Sequence, residues 1–433
     1  MTTINKIYSL FLQASGITTD SRKITENNLF FALKGENFNG NQYAEEALRR
    51  GALYSIIDEE EYKTSDNILL VEDVLKSLQD LAHLHRKNLG IPILGITGTN
   101  GKTTTKELIA KVLSQKFKIT FTQGNLNNHI GVPLTLLSMN KETEFGIVEM
   151  GANHPGEIAE LCAIADPDYG IITNIGKAHL EGFGSFEGVK KTKSELYIHI
   201  KNKNGTIFLN GENQILTELS AAIKNKVTFG THGNNFNGEL IKSPPFVHVK
   251  ANFPKGVLYL NTNLIGDFNS ENILAAACIG NYFQIDPLKI QQAIKNYKPS
   301  NIRSQLIEKG EIKIIMDAYN ANPTSMQASI KSFLSSDSGK DNHYLILGDM
   351  LELGSYSEQE HKNILELIQN QPTKNVFLVG KTFSDIAKSF NRITFDNVNQ
   401  LCEYLIKNPI NTGTILIKGS RGIQLEKTLD CIN

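Results

Sequence analysis

Gly95-Ile96-Thr97-Gly98-Thr99-Asn100-Gly101-Lys102-Thr103-Thr104 is the stretch on which the fold of this chain turns. It continues an apolar run, Ile93 to Thr97, short enough for a buried strand, and it opens a helical pattern after Lys102. A glycine-rich turn between a strand and a helix aims backbone N–H groups and the positive helix end at one point, which suits a polyphosphate. Lys102 would meet the β and γ oxygens, and Thr103 would offer its hydroxyl to Mg²⁺. The general pattern wants Gly where this chain has Ile96, so the match is to a variant loop built on Gly98. A plain strand-turn-helix junction that binds nothing is the competing reading, and the intact Gly-Lys-Thr in its proper context weighs against it. Such a loop implies ATP or GTP and leaves the phosphoryl acceptor open.

Upstream, Met1 to about Asn88 alternates strand-like runs (Leu29 to Leu33, Leu53 to Ile57, Ile68 to Val71) with helical stretches, the last being Val74 to Arg86 before a turn at Gly90. Downstream, strands and helices alternate, clearest at Gly146 to Met150 and Gly170 to Asn174, which predicts a parallel sheet covered by helices. From Gly238 to Gly266 the sequence is β-rich around Pro244, Pro245 and Pro254, which predicts an antiparallel appendage. Helical stretches at Asn269 to Phe283 and Pro287 to Asn296 lead to a linker at Pro299. Strands at Ile312 to Met316, Tyr344 to Leu347, Val376 to Val379 and Ile415 to Ile417 then predict a small doubly wound unit. A chain of 433 residues at about 150 per domain points to about three domains. The expected fold is therefore α/β in three domains: a small α/β domain at 1–89, a central P-loop ATPase domain with a mainly parallel sheet at 90–299, and a Rossmann-like domain at 300–433.

Lys plus Arg number 44 against 45 Asp plus Glu, so no basic excess is present to meet nucleic acid or an anionic membrane surface. No run of about 18 apolar residues predicts a membrane span. Met1 to Ser15 lacks the pattern of a secretory signal, so a cytoplasmic protein is expected. Cys162, Cys278, Cys402 and Cys431 are far apart in sequence and are read as reduced, packed thiols.

Beyond the glycine turn, Thr122-Gln123-Gly124-Asn125-Leu126-Asn127-Asn128-His129-Ile130-Gly131-Val132-Pro133 is dense in side-chain amides. That composition fits a loop approaching a polar ligand and fits a turn before a helix equally well. Glu149 ends one predicted strand and His179 follows another, in Ala178-His179-Leu180-Glu181. In a parallel sheet ligands gather at the carboxyl ends of strands, so both can converge on the Mg²⁺ of the phosphate loop. Each alone is weak, since a lone His is more often structural.

Together these residues resemble the Mur ligase family, ATP-dependent amide-forming enzymes of peptidoglycan precursor synthesis, over nearly the whole chain. The family loop stands at Gly98 to Thr103, with the companion Glu149, the histidine His179 and the downstream lysine Lys193. Asp317-Ala318-Tyr319-Asn320-Ala321-Asn322-Pro323-Thr324-Ser325-Met326 and Leu347-Gly348-Asp349-Met350-Leu351-Glu352-Leu353-Gly354 are similar to the branch that joins D-alanyl-D-alanine to UDP-N-acetylmuramoyl-tripeptide. The Asp-Asn-Pro-Arg of the sibling that adds the third peptide residue is absent.

The resemblance implies a reaction and a residue set. ATP phosphorylates the tripeptide's terminal carboxylate, and the dipeptide's amine attacks the acyl phosphate. Lys102, Glu149, His179 and Lys193 would be catalytic, with Thr103 and Glu149 on one Mg²⁺ and His179 and Lys193 on a second, Lys193 as its carbamate. Gly98, Thr99, Asn100, Gly101, Lys102, Thr103 and Thr104 would hold the phosphates, and Asn269 and Asn272 the adenine side, where Phe268 replaces the usual histidine. Arg303 and Asp317 would reach a phosphate oxygen and a ribose hydroxyl when the last domain closes. Ser21, Arg22, Lys34 and Gly35 would hold the UDP-sugar, and Asn125, Asn127, Asn128, Asn320 and Asn322 would face the other substrate parts. Lys418-Gly419-Ser420-Arg421 matches the family's closing motif. A monomer is expected. The alternatives are a sibling ligase, a folylpolyglutamate synthase-like ligase and a P-loop nucleotide switch, whose Asn-Lys-x-Asp element is missing here.

Overall fold

The computed structural model describes residues 1–242, 245–299, 302–335, 342–369, 375–390 and 392–432. Pro244 of the expected appendage and residue 300 at the expected domain boundary lie outside them.

Ile93–Thr97 forms a strand buried at every residue, flanked in parallel by Tyr169–Ile172 and Phe145–Glu149. Its apolar character on both faces is what a central parallel strand requires. Successive side chains divide: Ile93 joins one core, and Leu94 and Ile96 join the other with Leu108, Ile109, Ile273 and Ala276 of the covering helices. Parallel strands Thr206–Asn210 and Lys226–Gly230 extend the sheet, and Phe236–Lys242, His248–Phe253 and Gly256–Asn261 add the antiparallel end. Ile119–Phe121 closes the opposite edge of the nine strands.

Before this sheet lies a smaller one of four parallel strands, Gly16–Thr18, Asn28–Phe31, Tyr54–Ile57 and Ile68–Leu70. Helix Val74–Leu89 connects the two, capped by Asp73 and ended by Gly90 in the left-handed region (φ 63°). Its buried Arg86 donates to the Ala165 and Asp166 carbonyls and pairs with Asp168 at 2.8 Å, tying the first sheet to the second.

The last sheet runs Gln305–Lys309, Ile312–Asp317, Gly413–Lys418, His343–Gly348, Asn375–Val379, Ile393–Phe395, parallel except for the first strand. That first strand and Gly16–Thr18 were not legible: both are half-buried edges without apolar alternation. One continuous buried cluster joins these three larger sheets, from Leu29 and Leu78 through Leu136, Leu161 and Leu196 to Met326 and Leu347.

The expectation of four separate thiols is corrected at two positions. Cys402 and Cys431 form a disulfide with a Cα separation of 5.3 Å, because helix Val398–Lys407 packs against the final turn of the chain. Their 29-residue separation gave no hint of this. Cys162 and Cys278 are free and buried, as read. Among the described residues no helix is long and apolar enough to cross a membrane.

Candidate functional site

The carboxyl ends of Ile93–Thr97, Phe145–Glu149 and Tyr169–Ile172 share one edge of the central sheet, so the loops that follow them meet there. Gly98 (φ 142°) and Gly101 (φ 77°) make the turn into helix Lys102–Leu113. A Cβ on Gly98 would stand 2.0 Å from Thr173 Oγ1. Asn174 supports the turn by accepting from Thr99 N and Asn100 N, both at 2.9 Å, and Thr173 donates to Asn100 O at 2.6 Å. The first N–H groups of the helix have no carbonyl of their own helix to bond, which leaves them for an anion. Lys102 Nζ folds back over the turn, donating to Gly98 O at 2.8 Å and Thr99 O at 3.1 Å. Removal from water lowers its pKa to about 8, opposed by the Glu149 charge.

Glu149 is 1% exposed. Thr103 Oγ1 donates to it at 3.0 and 3.2 Å and Asn127 Nδ2 at 2.8 Å. Burial pushes its pKa up, but the charges of Lys106 and Lys102 outweigh that, and the net direction is down. Thr103 and Glu149 together present hard oxygens of the kind Mg²⁺ takes alongside phosphate and water. Among the described residues no group of three His, Cys, Asp or Glu could cage an ion.

His179 adopts a left-handed backbone (φ 49°) at the start of the short helix Leu180–Phe183, and its Nδ1 contacts Glu352 of the last sheet's Leu347–Gly354 loop. That bond lowers the Glu352 pKa. Lys193 lies behind the cavity wall, 2% exposed, with Nζ 3.4 Å from Ala152 O and 5.4 Å from the Phe183 ring centre. Burial, then repulsion from Lys102, lowers its pKa to about 7. Asn269 and Asn272 are buried beneath the turn: Asn272 accepts from Thr105 Oγ1 at 2.9 Å and donates to Asn269 Oδ1 at 2.8 Å.

The last sheet supplies the facing wall. Asn322 caps helix Pro323–Leu334 by accepting from Ser325 N and donates across the cleft to Asn100 Oδ1 at 2.8 Å. Lys177 pairs with the buried Glu360 at 2.6 Å over the same cleft. Arg303 stacks 3.7 Å from the centre of the Tyr319 ring, and its buried Nε has no hydrogen-bond partner among the described residues. Asp317 is already engaged, by Lys418 at 2.6 Å and Ser329 at 3.0 Å.

A cavity of about 800 Å³ lies between the two walls. Thr99, Asn100, Gly101, Lys102, Thr104, Asn125, Asn127, Asn128, Glu149, His179, Asn269, Asn272, Arg303, Asp317, Asn320 and Asn322 all border it. Gly98, Thr103 and Lys193 sit just behind. Ser21, Arg22, Lys34 and Gly35 are not brought into it: Arg22 forms a two-point pair with Asp20, and Lys34 pairs with Asp58 and Glu59. Sequence reasoning missed Lys106, Glu352, Lys177 and Tyr319. Lys106, two positions past Thr104, carried a faint signal as a cation on the inner face of the phosphate-loop helix.

The family models that match are the Mur ligase middle domain (residues 96–280), the Mur ligase glutamate ligase domain (302–421) and the Mur ligase family catalytic domain (13–86). The chain is 35% identical to the UDP-N-acetylmuramoyl-tripeptide--D-alanyl-D-alanine ligase of Bacillus subtilis (strain 168), over 95% of this chain and 92% of that one. The enzyme of the same name from Escherichia coli (strain K12) is 31% identical over 95% and 92%. Among solved structures, MurF from Acinetobacter baumannii superposes with a TM-score of 0.87 at 28% identity, covering 98% of this chain and 97% of that one. MurF ligase from Thermotoga maritima in complex with ADP superposes at 0.85, with 28% identity and the same coverage.

Proposed function

This chain belongs to the Mur ligase family, and on that footing we propose that it is an ATP-dependent ligase joining D-alanyl-D-alanine to UDP-N-acetylmuramoyl-tripeptide. The observation that carries the reading is the shared cavity. A phosphate-binding turn, a buried carboxylate beside a threonine hydroxyl, and a wall from a second sheet bound across the cleft by Asn322 enclose one space.

The chemistry has two balanced steps. The tripeptide's carboxylate oxygen attacks the γ-phosphorus of ATP, the bond to the β-γ bridging oxygen breaks, and ADP leaves an acyl phosphate. The neutral amine of D-alanyl-D-alanine then adds to the carbonyl carbon, and the tetrahedral intermediate expels phosphate and loses a proton to give the amide. The first step brings two anions together. Lys102 offsets that charge, and helix Lys102–Leu113 presents N–H groups where negative charge develops. Thr103 and Glu149 would hold a magnesium ion, which would neutralise phosphate charge. His179 and Lys193 would serve a second.

A protonated lysine cannot ligate a cation. Burial lowers the Lys193 pKa to about 7, which favours the neutral amine, the form that would add CO₂ with loss of a proton to give an anionic carbamate. Arg303 would meet a phosphate. Asp317 would reach a ribose hydroxyl while Lys418 holds it. Asn269 and Asn272 brace the turn from the adenine side. Closure of the last domain excludes water from the acyl phosphate. We assign residues 1–89 to the UDP-sugar, 90–299 to ATP and 300–433 to the incoming dipeptide, in a cytoplasmic monomer.

The test is phosphate release with ATP, UDP-N-acetylmuramoyl-tripeptide and D-alanyl-D-alanine, each omitted in turn. Steady release requires all three. Release that ignores the dipeptide, or that accepts a free amino acid in its place, would overturn the assignment.

A further inference from the structure

Lys106 is 0% exposed, an uncommon place for an ammonium group. It lies one helical turn past Lys102 on Lys102–Leu113, a different side chain from the one that meets phosphate. Its Nζ stands 3.3 Å from Glu149 Oε2, 3.4 Å from Gly124 O and 5.9 Å from the centre of the Phe121 ring. The phosphate-loop helix, the end of Phe145–Glu149 and the start of the amide-rich loop therefore meet on one cation. Isolating such a charge from water is costly unless it is closely paired, and its partner is the Glu149 carboxylate.

The donors around Glu149 divide its two oxygens. Asn127 takes Oε1 at 2.8 Å and Lys106 takes Oε2 at 3.3 Å, while Thr103 Oγ1 is shared between them at 3.2 and 3.0 Å. The carboxylate is thus held at both corners, beside the Thr103 hydroxyl, where Glu149 borders the cavity. We infer that Lys106 is a positioning residue: it fixes the Glu149 carboxylate so that Glu149 and the Thr103 hydroxyl are presented together to the metal of a bound nucleotide. Lys106 does not border the cavity; it acts through Glu149, which does. The inference rests on the proposed reading that Thr103 and Glu149 serve the nucleotide's magnesium.

The experiment measures ADP binding by calorimetry with and without Mg²⁺ for the parent chain, Lys106→Met, Lys106→Arg and Glu149→Gln, each checked for folding by circular dichroism. Removing a residue that orients a metal ligand typically weakens metal affinity about 10- to 100-fold. Lys106→Met is expected to lose about tenfold or more of the Mg²⁺-dependent gain in ADP affinity while metal-free ADP affinity stays within about threefold. Lys106→Arg is expected to recover part of the gain. Equal loss of metal-free and Mg²⁺-dependent affinity in Lys106→Met would reduce Lys106 to a packing role and overturn the inference, as would a full Mg²⁺ gain in that variant. If Lys106→Met does not fold, Lys106→Gln, which removes the charge and keeps a donor, decides by the same criterion, a selective loss of the Mg²⁺ gain supporting the inference and a parental gain overturning it. If Glu149→Gln keeps the parent's Mg²⁺ gain, the underlying reading of Glu149 fails; if Glu149→Gln loses it and Lys106→Met does not, only the inference about Lys106 fails.

Discussion

Asn322 Nδ2 donates to Asn100 Oδ1 at 2.8 Å, so a side chain that begins a helix of the last sheet also grips the phosphate turn of the central one. One residue has two separable bonds. Its carbonyl oxygen caps helix Pro323–Leu334 through Ser325 N, and its amide spans the cleft.

Asn322→Asp keeps the capping oxygen and loses the N–H donor, while Asn322→Ala loses both. The aspartate variant is expected to keep the parent's thermal stability and raise KM for ATP several-fold. The alanine variant is expected to lose in addition about 1 kcal/mol of helix capping. Thermal unfolding and steady-state kinetics on both variants check this; a parental KM for ATP in the aspartate variant would show that the cleft bond does nothing.

Gly98 tests the phosphate turn. Its φ of 142° disfavours any side chain, and a Cβ there would overlap Thr173 Oγ1 and come within 3.0 Å of Thr173 N. Gly98→Ala is expected to abolish nucleotide binding, and adding Thr173→Ala should not restore it, because the backbone conflict remains. ADP calorimetry on the double variant is the measurement.

Lys193 carries a prediction about pH with a definite sign. Its folded pKa is near 7 against an ordinary 10.5, so between those values the unfolded chain binds a proton that the folded one does not. Stability contributed by this group therefore rises with pH from about 7 toward 10.5, and the cost of burying it is greatest below that window. In CO₂-free buffer, Lys193→Met should flatten the rise in urea midpoint between pH 7 and pH 9. The same variant should lose about 100-fold or more in turnover, and small carboxylates should partly rescue Lys193→Ala. An undiminished rate would remove Lys193 from the mechanism.

The Cys402–Cys431 bond closes a loop across a 29-residue separation, and by the chain-entropy argument its loss costs about 3 to 4 kcal/mol. Cys402→Ser should lower the melting temperature of the unit it staples and leave ADP affinity unchanged. Thiol titration of the oxidised, denatured chain should count two free groups, Cys162 and Cys278.

The strands around the phosphate turn, and the turn itself, were legible because each is a local pattern: an apolar strand, two glycines, a lysine, a helix. Glu149 and His179 were placed by a topological rule about strand ends, which the parallel sheet obeys. What stayed hidden is pairing across distance. Nothing near Lys106 in sequence announces that Glu149 waits beside it, 43 positions on. Glu352 and His179, Lys177 and Glu360, and Cys402 and Cys431 meet only because separate elements pack. Asp317 was read as a ribose contact from likeness, while its bond to Lys418 belongs to two parallel neighbours of the last sheet.

Because the cavity's opposing walls come from different sheets, its shape is a property of their alignment and of neither wall alone. A small molecule wedged between Asn100 and Asn322 would need no resemblance to a nucleotide or a peptide to stop the catalyst. It would only have to hold the jaws a few ångströms out of register, and a substitution on one jaw that weakened its grip would also damage the enzyme's own clasp.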